Sequence, residues 1–269
     1  MSCAGAFKAA AITVALCSAG LPLAGAGAAA IVGYSFYGDP SAPDISGLWL
    51  GTYTGPPGDR PQLPTVDRDI TRWAPWPPPF TPAYQKIADE RLAAAKAGRQ
   101  LGDIGARCLP FGLPWGLTLK VYPDEVIQTP GQVSIWVTGT FPLIIWTDGR
   151  PHPKDQVPSY NGHSIGNWVG DTLHIDTIGI LAATPVDAGP RTPHSAKLHM
   201  VTTIQRVAAD VLHVHVTLYD DEAFTEPMVT TNLWRRKSGP LWEELDDRSC
   251  FENNRNLPDD SDATGFKKF

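Results

Sequence analysis

Residues 159–178 read SYNGHSIGNWVGDTLHIDTI, and this stretch decides the fold. Gly170-Asp171 separates two runs in which polar and apolar residues alternate, the pattern of a two-residue β-hairpin turn. With that turn, Val169 faces Thr172, Trp168 faces Leu173 and Ile165 faces Asp176. Side chains alternate across a strand, so His163, Ile165, Asn167, His174 and Asp176 share one face. Trp168, Leu173 and Ile175 share the other. His163 and Asp176 become diagonal neighbours, within reach of each other's side chains.

The same pattern repeats outward from this hairpin. Strands are expected near 47–53, 125–129, 132–137, 141–147, 163–169, 172–178, 198–207, 211–219, 228–236 and 241–247. Thr138-Gly139, Ala209-Asp210 and Ser238-Gly239 supply further short turns. Successive hairpins with one apolar face make an antiparallel meander, which closes into a barrel or, alternatively, folds as a β-sandwich. Two segments interrupt the scheme. Residues 40–82 are rich in Pro and Trp, including WAPWPPP at 73–79. Proline fixes φ and lacks a backbone donor, so this is an extended strap over the barrel or a lid on a cavity. A helix follows, capped by Thr81, with Pro82 in its first turn and Gly98 beyond its end. Its apolar face is Tyr84, Ile87, Ala88, Leu92 and Ala95.

The 26 Pro and 25 Gly of the 269 residues fit a turn-rich β fold. The net charge is −6 without a basic stripe, which argues against a nucleic-acid partner. An apolar run over residues 9–30 follows Lys8 and ends in AGAGA at 24–28, with two small-residue cleavage sites. This reads as a signal peptide over 1–30, or as an uncleaved anchor. Cleavage leaves residues 31–269 as one barrel domain in the periplasm or outside the cell, with no further membrane attachment. The strap and helix would occupy 40–105 and the main meander 116–250. Cys108 and Cys250 are the cysteines left after cleavage, and an oxidising compartment favours a disulfide between them over two buried thiols.

Gly47-Leu48-Trp49 opens the first strand. With the meander behind it, it resembles the lipocalin and calycin barrels. That resemblance implies that Trp49 plugs one barrel end and that Arg235 or Arg236 packs on it. The strap and helix after the first strand depart from the lipocalin order. Residues 44–49, 107–110, 159–168, 170–179, 193–195 and 250–255 resemble a family of exported bacterial proteins to which no function is assigned. The likeness implies export and a β-rich fold, and no reaction.

The chemistry-bearing residues gather around two hairpins. A His beside a carboxylate is an acid–base unit, because the carboxylate orients the imidazole and raises its basicity. His163 and Asp176 fit that description if their face lines the barrel cavity; otherwise they belong to the solvated face. If Ala209-Asp210 is the turn, Val207 faces Leu212, and His199 joins the apolar interior face with Val201, Val207, Leu212, Val214, Val216 and Leu218. The same register sets Arg206 opposite His213. His213 and His215 have the spacing of two zinc ligands on a strand, but read better as an outer polar face. His152 sits in the loop sequence RPHP at 150–153. Tyr160, Asn161, His152, His194 and His199 are candidate contacts to a substrate. No nucleophile elbow surrounds Ser164 or Ser195, and no glycine-rich loop precedes a helix. The expected function is therefore cofactor-free acid–base chemistry on a small apolar or aromatic molecule, as a lyase or isomerase. The alternatives are a non-catalytic carrier of such a ligand and a His-ligated metal enzyme using some of His152, His163, His194 and His199.

Overall fold

The computed structural model describes residues 42–51, 73–99, 109–118, 123–137, 141–187 and 192–237. Nine strands form a closed barrel in chain order. They are β1 (Gly47–Gly51), β2 (Pro123–Thr129), β3 (Gln132–Trp136), β4 (Leu143–Trp146), β5 (His163–Val169), β6 (Thr172–Ile178), β7 (His199–Ala208), β8 (Val211–Tyr219) and β9 (Met228–Arg236). β9 returns to pair with β1, so the sheet closes on itself, as successive hairpins with one apolar face predict. The segment expected to be a signal peptide, Cys108, Cys250 and the strand expected at 241–247 lie outside the described residues.

The β5–β6 register is the one read from the turn: Val169 opposite Thr172, Trp168 opposite Leu173, Ile165 opposite Asp176. Its orientation is the solvated alternative. Leu173 and Ile175 are buried in the core, so His163 and Asp176 lie on the outer wall of the barrel. The core also takes Ile145, Ile204, Val214, Val216 and Leu218. Full burial of each such side chain contributes about 1.5–3 kcal/mol relative to exposure.

The β7–β8 register departs from expectation. The ladder shifts between Arg206 and Ala208, which pair with Leu212 and Val211. Val207 is left as an exposed bulge residue. One extra residue turns every side chain before it to the opposite face. Met200, Thr202 and Ile204 therefore point inward with Leu212, Val214, Val216 and Leu218, while His199 points outward. Gln205 stands opposite His213, in place of Arg206.

Neighbouring strands are antiparallel except β4 and β5. These run parallel, with Ile145 beside Ser164 and Trp146 beside Ile165. A parallel pair cannot be joined by a tight hairpin, and residues 147–162 form the crossover. Among the described strands it is the parallel step in an otherwise antiparallel order, and it delivers His152 to β5 and β6.

At the β1 end, Trp49 is fully buried, and the Arg236 guanidinium lies 4.5 Å from its ring centre. Gly47 has φ +129, and a Cβ there would stand 2.5 Å from Arg236 Nη1. Glycine leaves the space through which the arginine reaches the tryptophan.

Helix α1 (Pro82–Lys96) begins at Thr81, as expected. Thr81 gives no side-chain cap; its hydroxyl donates to the Glu222 carbonyl oxygen at 2.8 Å. Ala94 is buried and Tyr84, Ala88 and Arg91 are half-buried on one stripe, whereas Ile87 and Leu92 are exposed, contrary to the expected apolar face. In the strap, Ala74 exchanges two backbone hydrogen bonds of 2.7 Å with Val229 of β9. Trp73 is buried and Trp76 exposed, so one of these two tryptophans anchors the strap.

Candidate functional site

His163 opens β5 directly after Gly162, whose φ is +63. A Cβ on Gly162 would collide with the Ile178 carbonyl oxygen. Only glycine lets the chain turn into β5 this close to β6, and that turn fixes where His163 emerges.

The crossover loop is pinned at its root. The Thr147 amide donates to the Gly131 carbonyl at 2.9 Å. Arg150 lies 3.7 Å over the Trp146 ring, and its Nε is 2.9 Å from both Asp148 carboxylate oxygens. Two residues on, His152 stands over the outer wall between His163 and Asp176. Its Nδ1 is 2.8 Å from His163 Nδ1, and its Nε2 is 2.8 Å from Asp176 Oδ1. Asp176 Oδ2 takes a third 2.8 Å contact, from His199 Nε2. The His199 ring in turn packs on Tyr219, with ring centres 5.8 Å apart.

Four side chains thus form one hydrogen-bonded chain, His163–His152–Asp176–His199. His163 and Asp176 share the face that the turn predicts, but they meet through His152.

The hydrogen bonds fix the tautomers. Burial pushes the Asp176 carboxyl up, but the hydrogen bonds from His199 and His152 outweigh it and leave the pKa lowered. Asp176 is therefore a carboxylate and accepts only, so His152 Nε2 and His199 Nε2 carry protons. In neutral His152 the Nδ1 is then a lone pair, which accepts from His163 Nδ1–H. The remaining His163 nitrogen, Nε2, holds the lone pair. Burial, followed by the charges of His152 and Arg150, lowers the His163 pKa. His163 is neutral at neutral pH, the form a base requires. A carboxylate directly beside His163 would raise its basicity, as expected from the sequence. The structure reverses that expectation, first because the ring is partly buried and then because the residue in contact is His152.

A cleft of about 280 Å³ opens beside His163. Phe141, Leu143, Ile144 and Trp146 give it apolar walls, and Tyr160, Asn161 and Ser164 complete it. Burial raises the Tyr160 pKa, which keeps its phenol protonated. Asn161 Nδ2 donates to the Phe141 carbonyl at 2.7 Å and ties the two sides of the cleft together.

Of the other candidates, His194 joins a separate network. It is buried, its Nδ1 is 2.8 Å from the Ser195 carbonyl, and its Nε2 is 3.0 Å from Thr184 Oγ1. His213 and His215 lie on the outer face, and His215 bonds to Thr231 Oγ1 at 2.8 Å. Among the described residues, no three His, Cys, Asp or Glu side chains converge as metal ligands. Both ring nitrogens of His152, Nδ1 of His163 and Nε2 of His199 are directed at one another or at the carboxylate. Sequence reasoning missed Trp146 and Arg150 as parts of the site. The available signal was their spacing: an aromatic at the end of one strand, and a cation four residues on in the loop that carries His152.

Fold and site together define a closed β-barrel protein with a histidine–carboxylate chain on its outer wall, running up to an apolar cleft. No family model, no characterised protein and no solved structure matches the chain.

Proposed function

We propose that this protein is an exported, cofactor-independent acid–base enzyme, a lyase or isomerase. Its substrate is a small apolar or aromatic molecule held in the cleft between β4 and the start of β5. The observation that carries this reading is the hydrogen-bonded chain from His163 at the cleft to Asp176. His163 Nε2 takes a proton from the substrate, and the electron pair stays on the substrate as a delocalised anion. His163 Nδ1–H passes to His152 Nδ1, so the positive charge comes to rest on the His152 imidazolium beside the Asp176 carboxylate. His199 holds the other carboxylate oxygen and fixes its direction. The reverse transfer returns the proton to a different substrate atom in an isomerase, or to a departing group in a lyase. Separating charge this way favours proton transfer at a site that is partly shielded from water.

The test needs no knowledge of the product. Small aromatic ketones, enones and phenols are incubated with the protein in D2O, and carbon-bound deuterium is followed by mass spectrometry. The expected result is catalysed exchange with at least one class, lost in His163→Ala. Exchange that is the same in His163→Ala, or absent with all three classes, overturns the enzyme reading. Saturable binding without exchange would identify a carrier.

A further inference from the structure

The barrel interior holds a second feature, on the opposite side of the wall from the histidine chain. The inward residues of β7, β8 and β9 stand in rows set by the ladder. One row is Met200, Leu218 and Met228; the next is Thr202, Val216 and Thr230; the third is Ile204, Val214 and Asn232. Below them Leu212 pairs with Trp234, which is fully buried like Trp49. A polar layer is thus enclosed between a methionine-rich layer and the tryptophan end of the barrel.

Asn232 is 1% exposed, and neither its Nδ2 nor its Oδ1 has a hydrogen-bond partner. Thr202 is also 1% exposed, and its Oγ1 has none either. Desolvating an amide without replacing its hydrogen bonds is costly, and buried polar groups are satisfied in the great majority of structures. Three such atoms on one interior surface need an explanation. An amide offers a donor beside an acceptor, so its full partner is a group with the same pair reversed. The layer above supplies Met200 and Met228, unbranched side chains that adapt to irregular apolar shapes. Among the described residues, no lysine or arginine is buried in the barrel. Among those residues an anion finds no compensating positive charge.

We infer that the barrel interior is a binding site for a small neutral molecule with an apolar body and one carboxamide or lactam group. The group pairs in two-point fashion with the Asn232 amide, Thr202 Oγ1 adds a third hydrogen bond, and the apolar body lies against Met200, Leu218 and Met228. This site is separate from the outer cleft and does not depend on the acid–base reading.

Hexanamide serves as the probe, with hexanoate as an anion of the same length. In 15N- and methyl-labelled full-length protein, hexanamide shifts the Asn232 side-chain amide and the Met200 and Met228 methyl signals saturably. Hexanoate at the same concentration leaves them in place. Asn232→Leu weakens hexanamide binding about tenfold or more, the loss of about one to two hydrogen bonds. His163→Ala leaves it unchanged. Should Asn232→Leu fail to fold, the wild-type shifts and the contrast with hexanoate still decide. Unmoved Asn232 and methionine signals overturn the inference. So do equal binding by folded Asn232→Leu, and an Asn232 amide that shows contact only with a long-lived water in the presence of the probe.

Discussion

His152 and His163 meet through their Nδ1 atoms at 2.8 Å, one on a crossover loop and the other at the start of a strand. Two imidazoles joined in this way cannot choose their tautomers independently. Asp176 sets the His152 tautomer, and His152 sets that of His163. The carboxylate therefore controls the cleft from two hydrogen bonds away.

Asp176→Asn tests that control. The amide keeps the size but can present a donor to His152, which frees the tautomer. Proton exchange at the cleft should fall about 100- to 10,000-fold, the usual contribution of acid–base groups. The side chain is 43% exposed, so thermal stability should change little. An unchanged exchange rate with the fold intact would remove Asp176 from the mechanism.

The His163 pKa sets the pH dependence. It lies below the ordinary histidine value of about 6.5. The base is neutral above that depressed value, so activity should persist as pH falls through about 6.5 and fade only at lower pH. Arg150 contributes to the depression. Arg150→Gln should move both the acid limb of the rate profile and the His163 NMR titration upward. An acid limb above pH 6.5 in the wild type would contradict the assignment of His163 as the base.

What the sequence revealed about this site followed from the turns. Gly170-Asp171 is a clean two-residue connection, so the β5–β6 register and the shared face of His163 and Asp176 were legible. Ala209-Asp210 looks equally clean, but the bulge at Val207 shifts β7 by one residue and turns His199 outward. A bulge leaves no mark in the alternation when the inserted residue is itself a valine. Which face of β5 and β6 meets the core was ambiguous, because both faces carry an isoleucine. His152 was legible as a candidate contact, but its place between His163 and Asp176 was not, for a different reason. Its position depends on a parallel crossover and on Arg150 stacking over Trp146, contacts between residues that no short-range period connects.

The end of the barrel offers a coupling test. Arg236→Ala should cost about 0.5–2 kcal/mol through loss of the contact with Trp49. Gly47→Ala should cost about 1–3 kcal/mol, because the added carbon meets Arg236 Nη1 and the backbone is strained at φ +129. In the double mutant the collision disappears while the backbone strain remains. The two costs should therefore sum to more than the measured loss, read from urea unfolding. Strict additivity would mean that Gly47 is required by its backbone alone.

Asn232→Leu makes a claim on stability as well as on ligand. With no ligand present it removes an amide buried without partners and puts a hydrocarbon of similar size in the barrel. The variant should be more stable than wild type by about 1–3 kcal/mol in urea unfolding. Lower stability would mean that the amide is satisfied in solution.

His194 governs stability in acid. It is fully enclosed, and burial is the first cause of its lowered pKa; the hydrogen bond to the Ser195 carbonyl and the charge of Asp220 oppose that shift without reversing it. In the unfolded chain the same ring titrates near 6.5. Above that pH both states hold it neutral, and it adds no pH dependence. As pH falls below about 6.5 the unfolded chain binds a proton that the folded protein resists, so unfolding is favoured. Stability should therefore decline from about pH 6.5 downward, and the decline should continue until the folded ring itself titrates. His163 is depressed in the same direction, so the two contributions must be separated. Urea unfolding between pH 5 and 8 should show a shallower decline in His194→Gln than in wild type, even if His194→Gln is less stable at pH 8. His163→Gln should remove a smaller part, since that ring is only partly buried. If wild type and His194→Gln lose stability in parallel over this range, the His194 ring is not held neutral by the fold.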